Sequence, residues 1–495
     1  MTPQDLDQIA RLLAYPIGGG ILLNQLDDLF IDANYVARGL HRRGTCEVSL
    51  EELRDCEQKR IAILLPAWQE ADVIEQMLEH NLAAIDYDRS RYEIFCGTYA
   101  NDPRTQAPVD ALAARVSNVH KVVVPHDGPT CKADCLNWVY QGVVLEEQRR
   151  GMRFEILLMH DAEDVIHPLA LRLYSTLIPR YEFVQTPVFS LDLAPSEMVA
   201  GTYIDEFSEH HLKEMRVRES IGGLIPSAGV GSAFDRAAFE AIALASRQKP
   251  FNDASLTEDY EIGLRFRLAN RRVHFACCTV LRKQTAGGGR PARVRDEYIA
   301  TREFFPSDFG ASVRQRSRWV LGIALQTWEQ IGWQGALPVL YCLWRDRKAL
   351  FTNALLVLSY ALVGYIGLRF SLGLASGSHW DPSELIPPRT FLYTLMSVNL
   401  LGFVARCAVK MYFVRRLYGL WHGLLSPARL LVANVISIAA TARAVRTYVR
   451  HLVTKQPLRW VKTAHAFPSA AALAAESTEP LTLVAVAAAQ ERRAS

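Results

Sequence analysis

Between residues 59 and 335, short apolar runs alternate with segments whose apolar residues recur every three or four positions. The run at 60–66 (RIAILLP) is apolar almost throughout and stops at a proline, the pattern of a buried strand. Residues 72–85 have helical spacing, 92–99 read as a second strand, and 109–116 as a helix. A third strand follows at 119–125, then a long amphipathic helix at 132–149. The run at 154–160 (FEILLMH) is a fourth strand, with a helix after Pro168. This strand-then-helix rhythm predicts an α/β domain with a largely parallel sheet and helices on both faces. Ligands of such sheets gather beyond the carboxyl ends of the strands. Polar residues cluster there: Glu70 after the first strand, Asp102 after the second, His126 and Asp127 after the third, Asp161 after the fourth.

The pattern changes near residue 336, where long apolar runs take over. Residues 349–370 have about the length needed to cross a bilayer. A second span is expected at about 391–408, its end extended by snorkelling of Arg406. Arg345, Arg347 and Lys348 precede the first span, and Arg406, Lys410, Arg415 and Arg416 lie at or after the end of the second. The loop between them, 376–390, holds Asp381 and Glu384 with Arg389 as its one base. The positive-inside rule therefore puts the α/β domain in the cytoplasm and this loop outside. The apolar run 430–440 is too short to span and has basic residues on both sides. It predicts an interfacial or re-entrant helix over about 421–450, a buried soluble helix being the alternative. Four parts result: a lead-in at 1–58, the α/β domain at 59–335, a membrane region at 336–465, and a tail at 466–495. In the lead-in, the apolar stretch 9–23 is broken by Pro16-Ile17-Gly18-Gly19-Gly20, so it reads as a weak or truncated membrane segment without the marks of a signal peptide. The tail, rich in Ala, Glu, Ser and Thr, is expected to be disordered.

A formal net charge of +3 over 495 residues gives no concentrated basic field, which argues against nucleic acid as a partner. The nine cysteines show no paired CxxC spacing. They read as reduced cytosolic thiols, and zinc is not expected.

Five constellations carry candidate chemistry. Asp161-Ala162-Glu163-Asp164 closes the fourth strand with three carboxylates in four positions. Like charges so close raise one another's pKa unless a cation neutralises them, and a divalent ion with oxygen ligands is the simplest neutraliser. A solvated loop with Asp164 as a helix cap is the structural alternative. Thr257-Glu258-Asp259 opens a helical pattern; Thr257 can act as N-cap, or Asp259 can take a proton from an acceptor hydroxyl. Gln315, Arg318 and Trp319 fall at i, i+3 and i+4 on one helix face, suited to hydroxyls, phosphate and a sugar ring, or to a membrane surface. Lys132 lies at the start of a helix, where a diphosphate is well accommodated, or is an ordinary surface lysine. Gly229-Val230-Gly231-Ser232 permits either close approach of a ligand or a tight turn.

Taken in order, Asp102, the 161–164 cluster, Thr257-Glu258-Asp259 and Gln315-Arg316-Ser317-Arg318-Trp319 ahead of a membrane run resemble glycosyltransferase family 2 of the cellulose-synthase-like, QxxRW type. The resemblance covers about residues 59–345. Within that family, further segments resemble the NfrB-like group of inner-membrane bacteriophage adsorption proteins. These are Leu26-Asp27-Asp28-Leu29-Phe30-Ile31-Asp32, Gly97-Thr98-Tyr99 with Asn101-Asp102-Pro103, residues 313–322 (VRQRSRWVLG), and the stretch 460–468. The resemblance implies a GT-A fold and inverting transfer from a nucleotide-diphosphate sugar, UDP-sugar favoured, to a polysaccharide or other glycan of the bacterial envelope. It implies Pro66, Glu70, Asp102, Lys132 and Asp161 at the donor. It implies Mg²⁺ or Mn²⁺ on Asp161 with Glu163 or Asp164, and Glu258 and Asp259 as catalytic carboxylates with Asp259 the base. Gln315, Arg318 and Trp319 then hold the acceptor end and donor phosphates. A multi-pass inner-membrane location with export partners goes with this. The alternative is a membrane scaffold or receptor component that keeps the fold without catalysis. Departures from the family pattern are Asn101 beside Asp102, where two carboxylates are usual, and Glu163, where aspartate is common.

Overall fold

The computed structural model describes residues 2–41, 48–284, 293–377, 380–458 and 467–468. The tail expected to be disordered lies outside the described residues, apart from Phe467 and Pro468. The chain divides into two compact units. One holds Met1–His41, Asp192–Gly223 and Phe305–Leu458; the other holds Arg42–Leu191, Leu224–Phe304 and Arg459–Ser495.

The second unit is built on a seven-stranded sheet of order β3-β2-β1-β4-β7-β5-β8. Its strands are β1 (Ile61–Pro66), β2 (Tyr92–Tyr99), β3 (Val119–Val124), β4 (Ile156–Met159), β5 (Phe183–Gln185), β7 (Ser232–Asp235) and β8 (Val273–Phe275). The short strand β6 (Val188–Ser190) pairs with β11 (Thr301–Glu303), and β9 (Thr279–Gln284) with β10 (Arg293–Tyr298). Strands β1 to β4 are mutually parallel, as the sequence rhythm implied. β7 is not: it runs antiparallel to both β4 and β5, with Ser232 opposite Met159. The sheet is therefore mixed, and the start of β7 lies at the same edge as the end of β4.

Alternation along β1 shows that both faces are covered. Ile61, Ile63 and Leu65 belong to one apolar cluster, and Ala62 and Leu64 to the other. The second face is closed by the helix Lys132–Arg150 through Ala133, Leu136, Val139, Tyr140 and Val143. Gly97 in β2 makes this approach possible, since a Cβ there would lie 2.5 Å from both Cys135 Sγ and Val139 Cγ2. Gly97→Ala is expected to lower stability by about 1–3 kcal/mol by overpacking. Urea unfolding of the detergent-solubilised chain measures it, and an unchanged midpoint would mean the helix moves aside freely.

The first unit is helical. Among the described residues, three of its helical stretches are long and apolar enough to cross a membrane: Leu337–Ser376, Phe391–Tyr418 and Leu420–Thr454. The third is longer than its apolar run 430–440 suggested. Arg429, the charge that breaks the apolar pattern, is buried in a two-pronged ion pair with Asp205 at 2.6 and 2.9 Å, and also donates to the His422 carbonyl at 2.7 Å. Pairing of this kind offsets the cost of taking the charge out of water.

The first part of the lead-in is one continuous helix, Pro3–Ala37, passing through Pro16. Its glycines are contact points. A Cβ on Gly18 would lie 2.5 Å from Met396 Cε, and one on Gly20 would lie 2.6 Å from Leu355 Cδ1. The acidic residues of its second half are paired: Asp27 with Arg345 at 2.6 Å and with Lys348, Asp28 with Arg345 at 3.2 Å, and Asp32 with Lys213 and with Arg406 at 3.3 Å.

Candidate functional site

At the carboxyl end of β4 the three carboxylates of the acidic cluster separate into different environments. Asp164 is fully buried, and its Oδ2 meets His160 Nδ1 at 2.6 Å and accepts the Asp161 backbone N–H at 3.0 Å. Burial pushes its carboxyl above the ordinary range, against the pull of His160. Asp164 thus shapes the turn, while helix formation begins only at Ala170. Asp161 is partly exposed and takes the Lys132 ammonium, with Nζ 2.6 Å from Oδ1 and 2.7 Å from Oδ2. Lys132 is the first residue of the helix Lys132–Arg150. Burial pulls its pKa down, but Asp161, Glu258 and Asp259 outweigh that and hold it above the usual lysine range. Glu163 is buried beside them. Glu303 at the end of β11 is a further carboxylate here: burial first, then Asp164, Glu163 and Asp161, push it well above the ordinary range. The bridge between Val165 and Arg302 brings that strand to the cluster.

The glycine loop before β7 supplies the opposite wall. Gly229 has φ +78°, and a Cβ there would lie 2.7 Å from Asp259 Oδ2 and 3.2 Å from Lys132 Nζ. Gly231 has φ +57°, with the Thr186 and Thr301 hydroxyls 2.5 and 2.6 Å from the same imagined atom. Both glycines therefore serve the left-handed backbone and the close approach at once. Gln185 fixes the loop: its Oε1 accepts from Ala228 N at 2.9 Å, and its Nε2 donates to Val230 O at 2.9 Å. The helix Glu258–Leu268 lies against this loop because Gly263 lets its backbone touch Ser227 N and Pro226. One turn earlier on that helix, Asp259 comes to Gly229. Thr257 precedes the helix but makes no side-chain cap, and its buried hydroxyl has no hydrogen-bond partner among the described residues.

The loops after β1, β2 and β3 form a third wall. Asp102 accepts the Gln69 N–H at 2.6 Å and the Thr105 N–H at 3.4 Å. Glu70 N donates to Thr105 Oγ1 at 2.9 Å. Pro66, opposite Gly97, ends β1 just before this turn. Asn101 clasps Gly128 in both directions, at 2.7 and 2.9 Å, so the residue that departs from the family pattern ties two loops together. The Tyr99 and Thr130 hydroxyls meet at 2.5 Å, and Trp68 packs edge-on to Tyr99.

Gln315, Arg318 and Trp319 lie in the other unit, on the helix Phe309–Trp319. Trp319 packs edge-on to Tyr203 and Phe207. Arg316, between the motif positions, is the anchor: it pairs with Glu206, and its guanidinium sits 4.5 Å over the Tyr203 ring. Gln315 Oε1 and Arg318 Nε are buried without a hydrogen-bond partner among the described residues. Such orphaned polar atoms are costly unless a ligand meets them.

Glu93, His120 and Glu146 also offer ligand atoms within 4.8 Å of one another. They stand at the other end of the sheet, where β2 and β3 begin, and Arg150 already pairs with Glu93 and, at 2.9 Å, with Glu146. At the start of the helix Lys132–Arg150, burial pushes the thiols of Cys131 up to about 11 and Cys135 up to about 12, so both are neutral at physiological pH.

A family model described as Glycosyltransferase like family 2 matches residues 58–322, more than half of the chain. The chain belongs to this family. The resemblance carried by the ordered motifs is thereby borne out: the matched region, with its mixed α/β sheet, is a family 2 fold of the GT-A type, and three helices long and apolar enough to cross a membrane follow it in the described residues. Bacteriophage adsorption protein B of Escherichia coli strain K12 is 37% identical over 468 residues, covering 93% of this chain and 62% of that protein. Bacteriophage N4 adsorption protein B of Escherichia coli O157:H7 matches to the same extent. The chain thus spans about three fifths of the length of these curated relatives. Among solved structures, mannosyltransferase PcManGT from Pyrobaculum calidifontis, in complex with GDP-Man and Mn2+, gives a TM-score of 0.49 at 15% identity, covering 84% of this chain and 98% of that one. S. aureus TarS 1-349 in complex with UDP-GlcNAc gives 0.33 at 12% identity, covering 83% and 98%.

Sequence reading of this family 2 chain missed Trp68, Arg316 and Glu303. Arg316 lies inside a quoted motif whose pattern is carried by its neighbours Gln315, Arg318 and Trp319. Glu303 stands alone in sequence, and only the β6–β11 pairing and the bridge at Val165 bring it to the cluster.

Proposed function

We propose that the chain is a membrane-bound inverting glycosyltransferase that moves a sugar from a nucleotide-diphosphate donor, UDP-sugar favoured, to a glycan acceptor of the bacterial envelope. The observation that carries this is the convergence at Gly229, where one atom-sized position touches both Asp259 and the ammonium that holds Asp161. A proton acceptor and a phosphate-binding cation so close suit a single displacement. The acceptor hydroxyl oxygen bonds to the anomeric carbon while its proton passes to Asp259. The bond from that carbon to the diphosphate oxygen breaks, and the electron pair leaves with the diphosphate, whose charge Lys132 offsets. Glu258, buried beside Asp259, keeps the local field negative and favours the protonated lysine. Pro66, Glu70 and Asp102 set the loop that borders the nucleotide, with Trp68 as a ring for the base to pack on. Gln315, Arg318 and Trp319 serve the acceptor end and the donor phosphates; the orphaned atoms on Gln315 and Arg318 support this.

The donor set fits a hard divalent ion. Asp161, Glu163 and Glu303 offer only oxygen and outnumber the one ammonium among them. Asp161 and Glu163 are the proposed ligands of Mg²⁺ or Mn²⁺, because Asp164 is turned to His160. When bound, the ion adds to the neutralisation of the leaving diphosphate. Chelation with EDTA is expected to lower turnover by about 100-fold or more, with recovery on adding Mg²⁺ or Mn²⁺. Full activity in EDTA would sink the metal assignment.

The expected setting is the bacterial inner membrane with the sheet unit in the cytoplasm. Leu337–Ser376 and Phe391–Tyr418 are the proposed crossings. Leu420–Thr454 is proposed to lie at the surface, supported by its ties to Asp205 and the Leu193 carbonyl near one end. A donor screen with the solubilised full chain, reading release of nucleoside diphosphate, tests the activity. Silence with every donor, in the presence of membrane glycans and Mg²⁺ or Mn²⁺, would favour the scaffold reading that the relatives' role in phage adsorption also suggests.

A further inference from the structure

The helix Leu420–Thr454 ends in a basic face that the reaction does not use. Arg443, Arg446 and Arg450 stand at i, i+3 and i+7, on one side of the helix and about 10 Å from first to last. They line an open cavity of about 620 Å³ with Ala442, Thr447 and, from the helix that carries Gln315 and Trp319, Val313. The lining contains no carboxylate. None of the three arginines makes an ion pair among the described residues, whereas Arg345, Arg406 and Arg429 in the same unit are all paired. Glu329 reaches this helix, but it accepts a hydrogen bond from Tyr448. The Thr447 hydroxyl is turned to the Arg443 carbonyl at 2.8 Å.

Three guanidinium groups around one cavity repel one another unless an anion joins them. Each offers a planar fork of donors that matches phosphate oxygens. The cavity is far larger than a chloride or a single water needs, and its Val313 and Ala442 side is apolar. A basic cluster just beyond an apolar helix is where anionic headgroups are met.

We propose that Arg443, Arg446 and Arg450 form a binding site for a phosphate-bearing anion, whose source at this position is a membrane lipid headgroup. The site is independent of glycosyl transfer and stands whether or not the chain is catalytic. Its effect is to fix the end of the helix against the motif helix at the membrane surface. A soluble diphosphate shares the same chemistry, so the two sources are separated by experiment.

The full chain in neutral detergent is titrated with short-chain phosphatidylglycerol, short-chain phosphatidylcholine and inorganic pyrophosphate, with binding followed by calorimetry. The same titrations are made on Arg443→Gln/Arg446→Gln/Arg450→Gln and on a surface control of equal charge loss, Arg104→Gln/Arg115→Gln/Arg247→Gln. All six arginines are exposed, and thermal unfolding checks that both variants fold. Saturable binding of phosphatidylglycerol, at least about tenfold weaker in the cavity variant and unchanged in the control, is the expected result. Pyrophosphate binding lost in the same way, without lipid binding, keeps the phosphate site and overturns the lipid source. Equal binding by the cavity variant and the native chain, or no saturable binding of either anion, overturns the proposal.

Discussion

Asp259→Asn is expected to lower the turnover number by about 10²–10⁴-fold while leaving donor affinity within about threefold. The substitution keeps the shape of the side chain and removes its capacity to accept a proton together with its charge, while Asp161 and Glu258, the larger influences, still hold the Lys132 ammonium. Asp259 Oδ2 faces the Gly229 backbone and the Lys132 ammonium, so an amide in its place still fills the space. Two readouts separate chemistry from binding: nucleoside diphosphate release for the first, and equilibrium titration with the nucleotide-sugar for the second. Loss of both together would make Asp259 a structural or donor-binding residue. Retained turnover would refute the base assignment. Glu258→Gln gives the internal contrast. Glu258 is buried and acts on Lys132 through its charge, so its loss should raise the Michaelis constant for the donor more than it lowers turnover.

How much of this arrangement the sequence shows depends on the range of the interaction. β1 and β4 were legible because a buried strand writes an unbroken apolar run, β2 and β3 because β-branched and aromatic residues still dominate a short stretch, and each ends in polar residues within a few positions. Asp161, Lys132 and Asp102 could be picked out for the same reason. The reversed direction of β7 was not legible, since four residues with a buried pattern carry no sign of which way they run. That direction is what brings Gly229 beside β4. Gly263 reads as a weak point in a helix until Ser227 is known to press on it. Partners far apart in sequence were hidden throughout. Asp27, Asp28 and Asp32 are unexplained charges on an apolar lead-in until Arg345, Lys348, Lys213 and Arg406 stand opposite them. Arg429 breaks the apolar pattern ahead of residue 430, and Asp205, which neutralises it, lies more than 200 residues away in sequence.

Lys132→Gln should lower turnover per donor-binding event, kcat/KM, by about 10²–10³-fold, the loss usual for one preorganised donor to a developing anion. It should also destabilise the fold by about 1–3 kcal/mol, less than for a fully enclosed pair because Asp161 keeps 25% of its side-chain surface in water. The pH dependence tests the electrostatic cause. The folded lysine titrates above its ordinary value of about 10.4, since Asp161, Glu258 and Asp259 together outweigh burial. A raised cationic pKa gives stability that is complete below the unfolded value and disappears only as pH rises through the folded one. The difference in urea midpoint between native chain and Lys132→Gln should therefore stay constant from about pH 6 to about pH 9. A difference that shrinks inside that window would mean the ammonium loses its proton there, and a neutral amine could not offset a leaving diphosphate. Combining Lys132→Gln with Asp161→Asn closes the cycle. If the 2.6 Å pair is the reason each residue matters, the double variant should be less damaged than the sum of the two single losses. Strict additivity would leave Lys132 and Asp161 as neighbours that act separately on the donor.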